Sequence, residues 1–222
     1  MVTETVENYL KAIHTLCGES PNGETGVARL AAMLGVTKGT ATSMVKRLAG
    51  SRLVNAQRYG GVALTARGAR AALDILRRHR IVETFLVQTL GLDWSVVHPE
   101  AERLEHAISP AVLAALDSHL GHPAIDPHGD PIPDAHGRMR VPGGEPLSTF
   151  PAGSRVRISR VTDQDAAFLS FVARHGLKPG AAATVAAVDP VAQSLSVQAP
   201  GHSPVTMALP AAAKLLCRLA GK

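Results

Sequence analysis

The hydrophobic period of this chain changes once, and that change limits the folds open to it. From Thr3 to about Leu120 apolar residues recur every three or four positions, the spacing of amphipathic helices. The segment His122–Pro151 follows, rich in Pro, Gly, Asp and His, and reads as loop or linker. Beyond it the apolar runs become short and alternating: Val156–Ile158, Ala183–Val188, Leu195–Val197, Val205–Leu209 and Leu215–Leu219. A helix over Ala166–His175, ended by Gly176, and a turn at Lys178-Pro179-Gly180 punctuate them. The 222 residues therefore predict a mainly α chain of two or three domains with a small β-barrel of about 70 residues at its end.

The helical part has its own punctuation. A first helix over Thr3–Cys17 carries an apolar stripe of Val6, Tyr9, Leu10, Ile13 and Leu16. After a loop through Pro21, Asn22 and Gly23, a short helix over Gly26–Leu34 ends at Gly35, where a left-handed residue closes a helix. Thr37 then caps a helix reaching Leu48 or Ala49. Helix, tight glycine turn and capped second helix make a helix-turn-helix. Leu53–Leu64 reads as two short strands around Tyr59-Gly60-Gly61, a hairpin placed where a wing would be. Thr65 caps a long helix to about Thr89, Gly91 breaks it, a second covers Val96–Ile108, and Ser109-Pro110 opens a third to Leu120. The surplus of apolar residues in the long helix, from Ile75 to Leu90, predicts a homodimer interface.

Charge points to the partner of the first domain. Net charge is +5, and six basic residues lie between Lys38 and Arg67 with no acid among them. The second helix of a helix-turn-helix enters the major groove, so Thr37, Lys38, Gly39, Thr40, Thr42 and Ser43 face base edges. Small hydroxylic residues touch thymine methyls and hydrogen-bond either edge, but make no bidentate contact. Lys38, Lys46, Arg47, Arg52 and the wing's Arg58 are the phosphate contacts, and DNA shape carries the remaining affinity. No apolar run reaches the roughly 20 residues of a membrane helix. The lone Cys17 and Cys217 read as buried reduced thiols, and the acidic amphipathic N-terminus is unlike a signal peptide, so the chain is expected in the cytoplasm.

A second chemistry lies between His79 and His106. His79 and Glu83 are four apart on one helical face; Glu102, Glu105 and His106 follow at i, i+3 and i+4, with His98 between. Histidines and carboxylates grouped on helical faces suit a divalent metal. His14, His119, His122, His175 and His202 lack such company and read as ordinary surface residues, as does His136 in its loop.

The winged helix, the H-R-x-x-E of His79–Glu83, the V-H-x-E-A-E-x-x-E-H of Val97–His106 and the P-H-G-D-P-I-P of Pro127–Pro133 together resemble the diphtheria-toxin-repressor family of metal-dependent regulators. Gly176–Gly180 is similar to a turn in that family's SH3-like, FeoA-like C-terminal domain. The resemblance implies a winged helix over 1–70, a helical metal-binding and dimerisation domain over 71–140, a linker over 141–150 and an SH3-like domain over 151–222. It implies two metal positions per subunit. One uses Asn8, Glu102, Glu105 and His106. The other uses His79, Glu83 and His98, with Asp126 and His128, and Asp163 or Asp165 from the SH3-like domain, as further candidates. The iron-sensing branch has cysteine where Glu102 stands and methionine where Asn8 stands. Oxygen in place of sulfur favours Mn²⁺ over Fe²⁺, with Co²⁺, Ni²⁺, Zn²⁺ and Cd²⁺ as substitutes in vitro. The manganese branch usually has aspartate at the Asn8 position, so this chain's neutral carbonyl there is a departure.

The implied mechanism is a population shift. Metal held by residues of both helical domains fixes the reading heads of a homodimer on a pseudo-palindromic operator, repressing metal-uptake genes. A metal-independent winged-helix regulator answering to a small organic effector is the alternative, separated by its indifference to chelator. An enzyme is not expected, because H-E-x-x-H, nucleophile-elbow and P-loop runs are all missing from the sequence.

Overall fold

The computed structural model describes residues 3–56 and 61–220. The chain separates into two units, Met1–Arg78 with Pro133–Arg138, and His79–Ile132 with Met139–Lys222. No helix among the described residues is long and apolar enough to cross a membrane.

In the first unit, α1 (Glu4–Gly18) buries Val6, Tyr9, Leu10, Ile13 and Leu16, the stripe read from spacing. Helix α2 (Val27–Met33) stops because Gly35 turns left-handed at φ +64°, and the Val36 N–H then closes back on the Ala31 carbonyl at 3.0 Å. The Thr37 hydroxyl accepts from the Thr40 N–H at 3.1 Å and so caps α3 (Lys38–Gly50), which packs Ala41, Val45 and Leu48 inward. Strands β1 (Val54–Ala56) and β2 (Val62–Leu64) pair antiparallel, Val54 opposite Leu64. Thr25 adds a bridge to Val62 that spacing did not foretell. The hairpin tip, with Arg58 and Tyr59, lies outside the described residues. Thr65 caps the long helix α4 (Ala66–Gln88), its hydroxyl accepting from the Gly68 N–H at 3.1 Å. Residues 133–138 are fastened along the start of α4: Arg70 donates to the carbonyls of His136 and Ala135, and Arg77 to that of Pro133.

The second unit opens with the rest of α4, then α5 (Val97–Leu104) and α6 (Pro110–His119). Spacing predicts that α5 reaches Ile108, but it stops at Leu104, and Glu105 and His106 occupy a turn. The chain must reverse before Ser109 caps α6 with Pro110 in its first turn, and a proline there ends the preceding element. Glu105 keeps helical geometry as the C-cap, its N–H still bonded to the Ala101 carbonyl at 2.9 Å, and stays grouped with Glu102. The one-face argument is corrected for His106, which the following turn presents.

The remainder is an antiparallel six-stranded sheet in the order β3-β8-β4-β5-β6-β7. Its strands are β3 (Glu145–Pro146), β4 (Arg155–Val161), β5 (Ala182–Asp189), β6 (Ser194–Gln198), β7 (Val205–Ala208) and β8 (Leu215–Leu219). Helix α7 (Ala166–Arg174) follows β4, and α8 (Leu209–Ala212) follows β7. Val156, Ile158, Leu169, Val185, Leu195 and Leu215 are at most 1% exposed at the centre of its core. Leu147 and Phe150, in text that reads as linker, are buried there too, and so is Trp94 from the α4–α5 connection. The segment before the sheet is loop by composition but not by burial: His128 through Pro133 are six consecutive buried residues.

Candidate metal centre and nucleic-acid interface

Helix α4 aims His79 and Glu83 inward together because they are one turn apart, and both are almost fully buried. His79 Nε2 is 3.0 Å from Glu83 Oε1 and 3.0 Å from His98 Nδ1. His98, on α5, is 3.1 Å from that same oxygen. The other His79 nitrogen, Nδ1, lies 2.5 Å from Glu105 Oε2 and 3.9 Å from Glu102 Oε1. His106 Nε2 follows at 3.5 Å from Glu105 Oε1. Sequence reasoning places His79 in one metal group only. The structure makes it the hinge of two, since each ring nitrogen faces a different set of carboxylates.

A third group gathers on the far side of Glu83. Asp126 Oδ1 accepts from the His128 and Asp130 N–H groups at 2.8 and 2.9 Å, curling residues 126–130 into a tight turn. The turn brings Asp126 and His128 up to Glu83, with His128 Nδ1 3.7 Å from Glu83 Oε2. The other His128 nitrogen, Nε2, is 2.9 Å from the Trp94 carbonyl and donates to it. That bond fixes the tautomer and leaves the Nδ1 lone pair free to accept, the usual arrangement of a metal-binding imidazole. Glu83 Oε2, Asp126 Oδ2 and His128 Nδ1 are buried acceptors with no hydrogen-bond partner among the described residues. A buried polar atom left so costs about 1–3 kcal/mol. One donor atom from each of these three residues lies within 4.8 Å of the others, a grouping that fits a cation.

Electrostatics agree. Burial alone would raise the Glu83 carboxyl, but the imidazoles of His128, His79 and His98 outweigh it and hold the group well below the usual range. Asp126 goes the other way. Burial, then the neighbouring Asp130 and Glu83 carboxylates, push it up to about 7 despite His128 and Arg80. Burial would depress His128, and Glu83 reverses that and raises it. Arg80 stands beside the site, its Nε 3.7 Å from Asp126 Oδ2 and its Nη2 3.6 Å from Asp130 Oδ1. Sequence reasoning passed over Arg80, Asp130 and Trp94. The first two sit inside the H-R-x-x-E and P-H-G-D-P runs, which was the available signal.

The remaining candidates fall elsewhere. Asp163 Oδ2 holds the Lys214 ammonium at 2.5 Å, and the Asp165 carboxylate caps α7 through the Ala167 and Phe168 N–H groups. Neither is in a metal-capable group of the described residues. Asn8 belongs to the first unit, on α1, where its Oδ1 is buried with no hydrogen-bond partner among the described residues.

On α3, Thr37, Lys38, Gly39, Thr40, Ser43, Lys46 and Arg47 are exposed, as is Arg52 beyond it. The hydroxyls are not equally available. Thr42 donates its own to the Lys38 carbonyl at 2.7 Å, and the Thr37 hydroxyl serves as the cap and lies 2.9 Å from that of Thr40. Thr42 therefore offers chiefly its methyl group, and Ser43 is the hydroxyl with most freedom to reach a base edge.

Comparison with known proteins accounts for nearly the whole chain. Residues 1–62 match the family model for the iron-dependent repressor N-terminal DNA-binding domain, and 65–134 the one for the iron-dependent repressor metal-binding and dimerisation domain. Residues 145–218 match the FeoA domain. The iron-dependent repressor IdeR of Mycobacterium tuberculosis is 31% identical over 219 residues, 93% of this chain and 93% of that protein. A manganese-dependent transcriptional repressor solved in complex with manganese superposes with a TM-score of 0.87 at 37% identity, covering 97% of this chain and 100% of that one. ScaR with bound Zn²⁺ gives 0.80 at 27% identity, covering 97% and 99%.

Proposed function

The chain belongs to the iron-dependent repressor family of metal-dependent DNA-binding regulators, and from that premise we propose that it is a cytoplasmic manganese-responsive repressor acting as a homodimer. One observation carries the metal reading: three buried acceptors, on Glu83, Asp126 and His128, meet without partners. A bound divalent cation supplies there the positive charge that those lone pairs lack. Glu83 serves two groups at once, offering Oε1 beside His79 and His98 and Oε2 beside Asp126 and His128. Glu102 and Glu105 form the further group with His79 Nδ1, and His106 adjoins it. The donors are carboxylate oxygens and imidazoles with no thiolate, which favours Mn²⁺ over Fe²⁺.

Helix α3 reads DNA through Ser43 and the Thr40 and Thr42 side chains, with Lys38, Lys46, Arg47 and Arg52 on phosphates. The second copy covers α6, an apolar helix that buries only Leu113 and leaves Val112 49% exposed, and Leu104 at the end of α5 is 43% exposed as well. A two-fold dimer demands a pseudo-palindromic operator. The donor set senses rather than catalyses, and an organic effector would leave the three orphaned acceptors unexplained. A mobility-shift titration on the chain's own promoter at fixed ionic strength tests the proposal. Mn²⁺ should tighten binding by roughly 5–150-fold, the range of ordinary allosteric coupling, with chelator reversing it. Affinity indifferent to both would refute it.

A further inference from the structure

The turn that carries Asp126 and His128 is held from outside by the β-sheet domain. Asp130, at its end, is gripped by Arg160 of β4 and accepts from Gln164 Nε2 at 3.1 Å. The Val161 N–H donates to the His128 carbonyl at 2.8 Å, so the turn is stitched to β4 through its backbone as well. Contact is close enough to require glycine. Gly129 adopts φ +86°, and a Cβ there would lie 2.2 Å from the Ser159 carbonyl oxygen. On the other side, Trp94 stacks on His128 with ring centroids 5.3 Å apart while its ring is part of the sheet core. The Asp130 N–H in turn fixes Asp126 Oδ1, which decides where Oδ2 points.

We infer that residues 145–222 act as the outer shell of the Glu83–Asp126–His128 centre, so that docking of the sheet domain and loading of that centre are one linked equilibrium. This rests on the metal reading above and goes beyond it. Asp130, Arg160 and Gln164 are positioning residues that contribute no ligand. They hold Asp126 and His128 in ligand geometry, and by linkage an ion there tightens the hold of the sheet domain on the turn. Of the two acidic side chains in the β4–α7 connection, Asp163 holds Lys214 and Asp165 caps α7, and neither is in a metal-capable group of the described residues.

The chain's single tryptophan reports on this centre directly. Mn²⁺ titration of the full-length protein, followed by Trp94 fluorescence, compares wild type with Arg160→Met, Arg160→Lys and Gln164→Leu. Limited proteolysis of residues 145–222 with and without Mn²⁺ accompanies it. Arg160→Met should raise the Mn²⁺ concentration needed for the Trp94 response about 10–100-fold, the usual effect of an outer partner, and abolish Mn²⁺ protection of the sheet domain. Arg160→Lys should restore most of both. Gln164→Leu, which leaves the ion pair intact, should give a smaller shift and keeps the test decisive if Arg160→Met does not fold. Unchanged Mn²⁺ dependence in folded Arg160→Met or in Gln164→Leu would overturn the inference. So would its loss in Asp163→Asn, which would make the sheet domain a ligand donor. Glu83→Gln separates the two levels. If it too leaves the Trp94 response intact, the metal reading itself fails; if it abolishes the response while Arg160→Met does not, only the outer-shell role fails.

Discussion

In the half of the cluster built on His79, His98 and Glu105, both ring nitrogens of His79 and Nδ1 of His98 sit 2.5–3.1 Å from a neighbouring donor or acceptor. In the half built on Glu83, Asp126 and His128, the imidazole stands 3.7 Å from the nearest carboxylate oxygen and three acceptors face one another without partners. The first half satisfies itself with protons, and a cation entering it must displace them. The second half leaves three acceptors without hydrogen-bond partners among the described residues, and below about pH 7 a cation entering it displaces the proton that burial keeps on Asp126. Donors of the same type, drawn from neighbouring elements, therefore answer to a metal on different terms, and Glu83 is the one side chain that belongs to both.

That shared position gives the largest expected effect. Glu83→Gln removes the charge common to both halves and should weaken Mn²⁺ binding at both by at least ~100-fold, more than an outer partner's substitution does. Calorimetric titration checks it, and an intact first half would show that Glu83 is not shared. A pH series should next separate the halves. Asp126 is pushed up to about 7, so between the ordinary carboxylate range and that value the folded, metal-free protein binds one more proton than the unfolded chain. Asp126 thus lowers metal-free stability as pH rises toward 7. Loading expels that proton and the one that Glu83 favours on His128, so Mn²⁺ affinity at the second half should rise at least tenfold per pH unit up to about 7. Asp126→Asn should lose the Trp94 response, and with it this pH slope, while leaving the first half loaded. Retention of the slope would move the proton to another group.

Two smaller effects probe the first half. His106→Ala should lower the Mn²⁺ response of operator binding while preserving the fold and the weak, salt-sensitive affinity for DNA. Asn8→Ala asks whether the position that the family resemblance singles out on α1 takes part in this chain: a several-fold rise in the Mn²⁺ concentration for half-maximal operator binding would add Asn8 to the ligand set, and no change would leave it out.

What the sequence makes legible follows from how local each feature is. The caps at Thr37, Thr65 and Ser109 and the left-handed stop at Gly35 rest on side chains within a few residues, and spacing reveals them. His79 with Glu83 was legible for the same reason. The turn at Glu105 and His106 was not, because α5 ends to satisfy the reversal into α6, a demand set by the next element. Nor was the burial of 128–133 visible, since Pro, Gly and Asp read as exposed loop until a sheet and two arginines of α4, Arg77 and Arg80, take up their carbonyls. The double role of His79 depends on which nitrogen faces which carboxylate, and residue type carries no information about that.

Diffraction from Mn²⁺-loaded crystals of the full chain, collected at the manganese edge, tests the central claim most directly. An anomalous peak should lie among Glu83 Oε2, Asp126 Oδ2 and His128 Nδ1, the three acceptors the protein leaves unsatisfied. Loaded crystals with no anomalous density there, and those atoms paired with water or protein donors instead, would contradict it.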